Sequence, residues 1–233
     1  MSRDEDRPLH SGGSVHCEEF ESLMLFTDMI PSLENAMTPA EATDYAEWVG
    51  ELVRKRQQTS PKRLCDPGPS PEQVRELFTA AAQAPDHGLI RPWRFVQVSE
   101  AGRGRLGDAF ALALLERDPE ASAQQLQDAR DKASRAPFLA LAIGRMRDEH
   151  VEIPETERLV SLGCALQNML LTAHAQGFGA GLVSGKAMDA KAMRRLFGLD
   201  DAERAVCFVV MGTVRQAKAS RVRPLPETFV STL

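Results

Sequence analysis

Apolar residues fall into helical and strand-like rhythms along this chain. Ala42, Tyr45, Ala46, Val49, Leu52 and Val53 recur at helical spacing. Thr38-Pro39-Ala40-Glu41 stands just before them as a capping box, with Pro39 at the first helical position, so a helix is expected to run from there into Arg54-Lys55-Arg56. Ser70-Pro71-Glu72-Gln73 is a second capping box, followed by Val74, Leu77, Phe78 and Ala81 on one face. Pro85 closes that helix, because its ring cannot continue the hydrogen-bond ladder. Pro92 keeps Arg91 extended and leads into a strand over Trp93–Val98.

Residues 103–135 predict one or two charged surface helices broken near Asp118-Pro119, and Phe138–Ile143 predicts a buried strand. From Glu155 to Ala175 the sequence is apolar nearly all round, the pattern of a helix buried on every side, in the core or against a second subunit. A glycine-rich turn, Gly177–Gly185, leads into a short strand. Asp189 is in place to cap a helix that ends at Gly198. Ala205–Met211 reads as a strand closed by Gly212-Thr213, and the tail through Arg221 and Arg223 reads as extended. Helices and strands mix without strict alternation, which predicts an α+β sandwich whose central sheet is mainly antiparallel and flanked by helices. Residues 1–37 read as a flexible N-terminal extension, with one short apolar stretch at Phe20–Ile30, and 38–233 as the folded domain.

Composition narrows the function. A hydrophobic share of 43% over 233 residues supports a sizeable core, and a net charge of −5 argues against nucleic acid or a membrane surface as partner. Positive charge is local instead, at Arg54-Lys55-Arg56, Lys62-Arg63 and Arg221–Arg223. The four cysteines are scattered and the five histidines form no H-E-x-x-H, so neither a zinc site nor a disulfide framework is expected. Cys164 and Cys207 lie in apolar runs and read as buried thiols. No signal peptide or membrane span is read, and a cytoplasmic location is expected.

Candidate chemistry centres on Ala84-Pro85-Asp86-His87-Gly88-Leu89-Ile90-Arg91-Pro92-Trp93-Arg94. A loop with so many fixed angles and donors, held between a helix and a strand, can grip a ligand. Taken alone, His87 reads as a loop hydrogen-bonder and Trp93 as a core residue. Gly102-Arg103-Gly104-Arg105-Leu106-Gly107 matches the dinucleotide fingerprint, yet no acidic residue follows at the distance a ribose needs, so a loop-and-cap role is expected. Three cations at Arg54–Arg56 complement a helix dipole or grip a phosphate.

These blocks in their order resemble the nitroreductase family, in particular its small NAD(P)H nitroreductase branch, across roughly residues 41 to 233. The resemblance implies a dimeric α+β fold that binds FMN at the subunit interface and takes electrons from NADH or NADPH. It implies Lys55, Arg56 and Gln57 on the ribityl and phosphate groups, with Lys and Gln standing where the family motif has Arg and Ser. It implies Pro85, Asp86 and His87 toward the partner subunit's flavin, Leu182, Val183 and Ser184 along the ring, and Arg221 and Arg223 closing on the phosphate. The helix through Gly163–Met169 resembles the family's buried dimer helix. The implied reaction is ping-pong transfer to a small-molecule acceptor such as a nitroaromatic or quinone, with no side chain as nucleophile. A flavin-dependent dehalogenase-like enzyme and a non-catalytic flavin-binding protein are the alternatives.

Overall fold

The computed structural model describes residues 39–150, 152–219 and 221–233. Thr38, the expected extension 1–37 and its apolar stretch Phe20–Ile30 lie outside them. The chain divides into Met1–Glu47 and Trp48–Leu233. The described part of the first unit is the start of helix α1 (Pro39–Lys55), and the rest of the description concerns the second.

That unit contains α2 (Pro71–Ala82), α3 (Arg103–Leu115), α4 (Ala123–Arg130), α5 (Glu155–Ala175) and α6 (Lys191–Phe197). Its strands are β1 (Leu64–Cys65), β2 (Trp93–Gln97), β3 (Phe138–Arg145), β4 (Gly179–Val183) and β5 (Glu203–Val214). All pairings between these strands are antiparallel: β3 lies between β2 and β5, and β5 also pairs with β4 and β1. Val209 meets Ala140 of β3 on one edge and Leu182 of β4 on the other, so β5 is the central strand. The architecture is the expected α+β sandwich with a mainly antiparallel sheet flanked by helices.

Period-two alternation divides the core into two layers. Leu139, Leu141 and Ile143 of β3 and Phe208 and Val210 of β5 pack with Leu106, Ala109 and Ala113 of α3 and Ala192 and Met193 of α6. Phe138, Ala140, Ala142, Cys207, Val209 and Met211 point the other way, onto Leu77 and Ala81 of α2 and Leu162, Leu166, Met169 and Leu170 of α5. Both faces are covered, which is why β3 and β5 read as unbroken apolar runs.

Four expectations change. First, α5 is not buried on every side of the chain. Its core face carries Leu162, Ala165, Leu166, Met169 and Leu170, but Val160 is 66% exposed and Leu159 39%. Second, Asp189 does not cap α6. Ala190 holds the cap position without a side-chain bond, and the Glu116 carboxylate accepts from the N–H groups of Lys191 and Ala192 at 3.2 and 3.3 Å. A carboxylate at the C-cap of α3 meets the dipole that a local aspartate was expected to meet. Third, β5 continues past Gly212 to Val214, because β1 pairs with Thr213 and Val214. That pairing makes Leu64–Cys65, between the first two helices, a short strand. Fourth, Cys164 is half-buried, whereas Cys207 is buried and its thiol is pushed up to about 11 by desolvation.

The fingerprint-like Gly102–Gly107 is structural. The Ser99 hydroxyl accepts from the Gly102 N–H at 3.2 Å, and a Cβ on Gly107 would stand 3.1 Å from the Arg130 carbonyl. Arg103, buried, donates to the Ala133 and Pro137 carbonyls, both at 2.7 Å.

Candidate functional site

β4 forms part of the wall of two cavities. The larger, about 390 Å³, has an apolar floor of Phe110, Leu114, Leu139, Phe208, Val210 and Met188. Val183 and Ser184 at the end of β4 line it, with Ser60 and Pro61. Its rim carries Lys62, Arg117, Lys132, Arg135 and Lys186, and none of its lining residues is acidic. The smaller, about 170 Å³, is lined by Gly179 and Ala180 at the start of β4, with Lys55, Arg56, Gln57, Arg63, His174 and Lys218 around them. Ala180 and Val183 are three residues apart, about 10 Å at roughly 3.3 Å per residue.

The two cavities share a built edge. The segment Gln58-Thr59 runs parallel to β4, and the Thr59 N–H donates to the Ala180 carbonyl at 2.8 Å. The Gln58 side-chain amide donates to the Leu182 carbonyl at 2.6 Å and accepts from the Leu182 N–H at 3.1 Å. One side chain thus imitates a strand partner. Gly181 is required for the approach, since a Cβ there would stand 2.5 Å from the Thr59 carbonyl oxygen. The chain is held so tightly at Leu182 that Val183 and Ser184 enter the larger cavity from a fixed edge.

The sequence-predicted residues therefore separate. Val183 and Ser184 line the larger cavity, whereas Leu182 is taken up by Gln58 and lines neither of the two. Lys55, Arg56 and Gln57 line the smaller cavity, and Lys55 also pairs with Glu51. The basic residue that enters the larger cavity near Val183 is Lys62, from the next basic pair along the sequence. Arg221 and Arg223 are exposed, but Arg223 acts on Arg56: burial first, then the Arg223 charge, lowers the Arg56 pKa from its ordinary value. Neither guanidinium has a carboxylate partner among the described residues.

Pro85, Asp86 and His87 line neither cavity. They are fastened to α5: the Ser161 hydroxyl donates to the Pro85 carbonyl at 2.9 Å, and the His87 Nδ1 lies 2.7 Å from the Glu157 carboxylate. The Asp86 carboxylate accepts from the Arg91 N–H at 2.6 Å, yet its other oxygen and the Trp93 indole N–H are buried without partners among the described residues. Leu89 and Arg91 hold φ of 54° and 46°, so Arg91 is not extended as expected before Pro92, and both lie in the left-handed region that costs such residues about 1 kcal/mol or more each. The loop is strained and incompletely satisfied.

Sequence reasoning missed Gln58, Lys132, Arg135, Lys186 and the apolar floor. They come from five separate segments brought together by the fold, and the only local signal was the Lys62-Arg63 pair.

Comparison with known proteins decides the family. The nitroreductase family model matches residues 56–213. The chain belongs to the nitroreductase family. It is 32% identical over 154 residues to a "Putative NAD(P)H nitroreductase" of Haemophilus influenzae, covering 66% of this chain and 83% of that protein. A protein of the same description, YdjA of Escherichia coli, is 31% identical over 185 residues, covering 78% of this chain and 97% of its own length. Among solved structures, a nitroreductase-like family protein from Bacillus cereus superposes with a TM-score of 0.70 at 19% identity, over 79% of this chain and 95% of that one. An FMN-dependent nitroreductase from Clostridium difficile superposes with a TM-score of 0.56 at 17% identity, over 78% and 96%. As a nitroreductase-like oxidoreductase, this protein presents two basic cavities joined by one strand. Among the described residues no cluster of side chains could hold a metal ion, and no helix is long and apolar enough to cross a membrane.

Proposed function

We propose that this nitroreductase-family protein is a cytoplasmic, homodimeric FMN oxidoreductase that passes electrons from NADH or NADPH to a nitroaromatic, quinone or similar acceptor. The observation that carries the reading is the pair of cavities on β4. The larger offers an apolar floor for a flat ring and cations at its edge. The smaller offers Arg56 and Lys218 for a dianion about one ribityl chain away, with the Arg223 charge acting on Arg56. The residues present therefore fit FMN, the cofactor named for the Clostridium difficile relative.

When bound, FMN would accept hydride from the reduced nicotinamide and hand electrons to the acceptor in alternating turns at one site. The residues of this chain bind and orient. Backbone at Val183 and Ser184 is fixed by the Gln58 clamp, so its donors and acceptors would not need to reorganise. Lys62, Arg117, Lys132, Arg135 and Lys186 at the rim would favour negative charge on the ring. Arg56, Lys218, Arg221 and Arg223 would hold the phosphate, with Lys55 and Gln57 beside them. Leu182 would contribute backbone.

The homodimer reading rests on the exposed stripe of α5 and on the loop above it. Leu159 and Val160 stand on the same helix whose Ser161 and Glu157 hold Pro85 and His87. A second copy covering that stripe would bring Pro85, Asp86 and His87 toward its own cavity.

The experiment is an absorption spectrum of the purified protein, then anaerobic mixing with NADH and NADPH. A yellow protein bleached by either donor is expected. A colourless protein that takes up no FMN on titration would overturn the cofactor, and a yellow protein that neither donor bleaches would overturn the enzyme.

A further inference from the structure

We infer that the acceptor of this site is itself an anion: an aromatic or quinoid compound whose carboxylate, or equivalent charge, is gripped by the rim of the larger cavity. The inference rests on the flavin reading above and names the acceptor class for that same site. Five cations, Lys62, Arg117, Lys132, Arg135 and Lys186, ring the cavity from four segments of the chain. None of them has a hydrogen bond or ion pair from its side chain to the described residues, and no lining residue is acidic. Several cations elsewhere are paired, Arg94 and Arg145 with Glu203, Arg130 with Asp108, Arg158 with Asp148 and Arg204 with Glu155, and what sets the rim apart is five unpaired cations converging on one apolar cavity.

Charge counting decides what the rim is for. On the reading above, the FMN phosphate would be held by the cations of the smaller cavity. A reduced, anionic ring would neutralise one of the five rim charges. The surplus sits over an apolar floor in a chain whose net charge is −5, so the site is a local positive funnel in an acidic protein. Low-dielectric walls below and unpaired cations above are complementary to a flat ring with a negative substituent. With the flavin ring on the floor, an acceptor stacked over it meets the rim, and a neutral acceptor would leave those cations unused.

Matched ligands test this. FMN-loaded protein, without nicotinamide, is titrated with 4-nitrobenzoate and with 4-nitrobenzyl alcohol while the flavin absorption bands are followed. The carboxylate is expected to bind about tenfold tighter at low salt, with the gap narrowing as ionic strength rises from about 0.02 to 0.5 M. The double substitution Arg117→Glu and Lys186→Glu is expected to erase the preference, so that the two ligands bind alike. Equal affinities in the FMN-loaded wild type would overturn the inference and leave the flavin reading standing. A charge-reversed protein that loses FMN would also overturn it, because the rim would then serve the cofactor. Failure of the wild type to take up FMN would overturn the underlying reading instead.

Discussion

Two regions of this molecule use positive charge in opposite ways. Below the loop between β3 and α5, Arg158 is only 1% exposed, and each of its bonds ends on the protein: the Asp148 carboxylate at 2.6 and 2.9 Å, and the carbonyls of His150 and Ile153 at 2.8 and 3.0 Å. At the larger cavity five cations have no such partners. Burial explains the difference. A guanidinium out of water must be fully paired or it destabilises the fold, so Arg158 is structural. Rim cations remain hydrated and lose little by waiting, so they are available to a ligand. The lesson is that charge by itself marks nothing; unpaired charge beside an apolar floor does.

The comparison breaks most sharply at Arg158. Arg158→Ala leaves Asp148 and two carbonyls without their donors and is expected to cost about 3–5 kcal/mol in urea unfolding. A loss below about 1 kcal/mol would show that water replaces the guanidinium. Next comes the smaller cavity. Arg56→Ala is expected to weaken FMN about ten- to a hundredfold, the equivalent of one or two direct charge-assisted bonds. Riboflavin, without the phosphate, should bind both proteins alike; equal losses for the two ligands would make Arg56 structural.

Proton linkage sharpens the same contrast. Hydrogen bonds from Arg158 hold the Asp148 pKa at about 2, below its ordinary 3.8. A depressed carboxylate stabilises the fold above its unfolded pKa, so this contribution is lost as pH falls from about 4 through about 2. Stability measured across that window should slope downward in the wild type and flatten in Arg158→Ala. Glu116→Ala, which uncaps α6, should cost about 1 kcal/mol. The smallest effect belongs to the rim: Arg117→Ala should leave stability within about 0.5 kcal/mol of wild type, and a larger loss would mean the rim is not spare.

What the sequence determined by itself is what is local. The capping box at Ser70 and Gln73 forms as written, with its bonds at 2.9 and 3.3 Å. Helix α5 spans Glu155–Ala175 as its apolar run predicted, and Gly198 ends α6 with a φ of 60°. These follow from neighbours a few residues apart, and so does the family resemblance, which needs only the order of short blocks. Tertiary structure decided what depends on separation in space. Glu116 rather than Asp189 caps α6, because a helix end accepts any carboxylate that packing brings near. Gln58 clamps Leu182 across 124 residues of chain. Lys62 entered the larger cavity while Lys55, Arg56 and Gln57 lined the smaller, because the turn after α1 sends successive residues to opposite ends of β4. A basic run looks the same in sequence at every position; which cation remains unpaired is settled only when the carboxylates have found theirs.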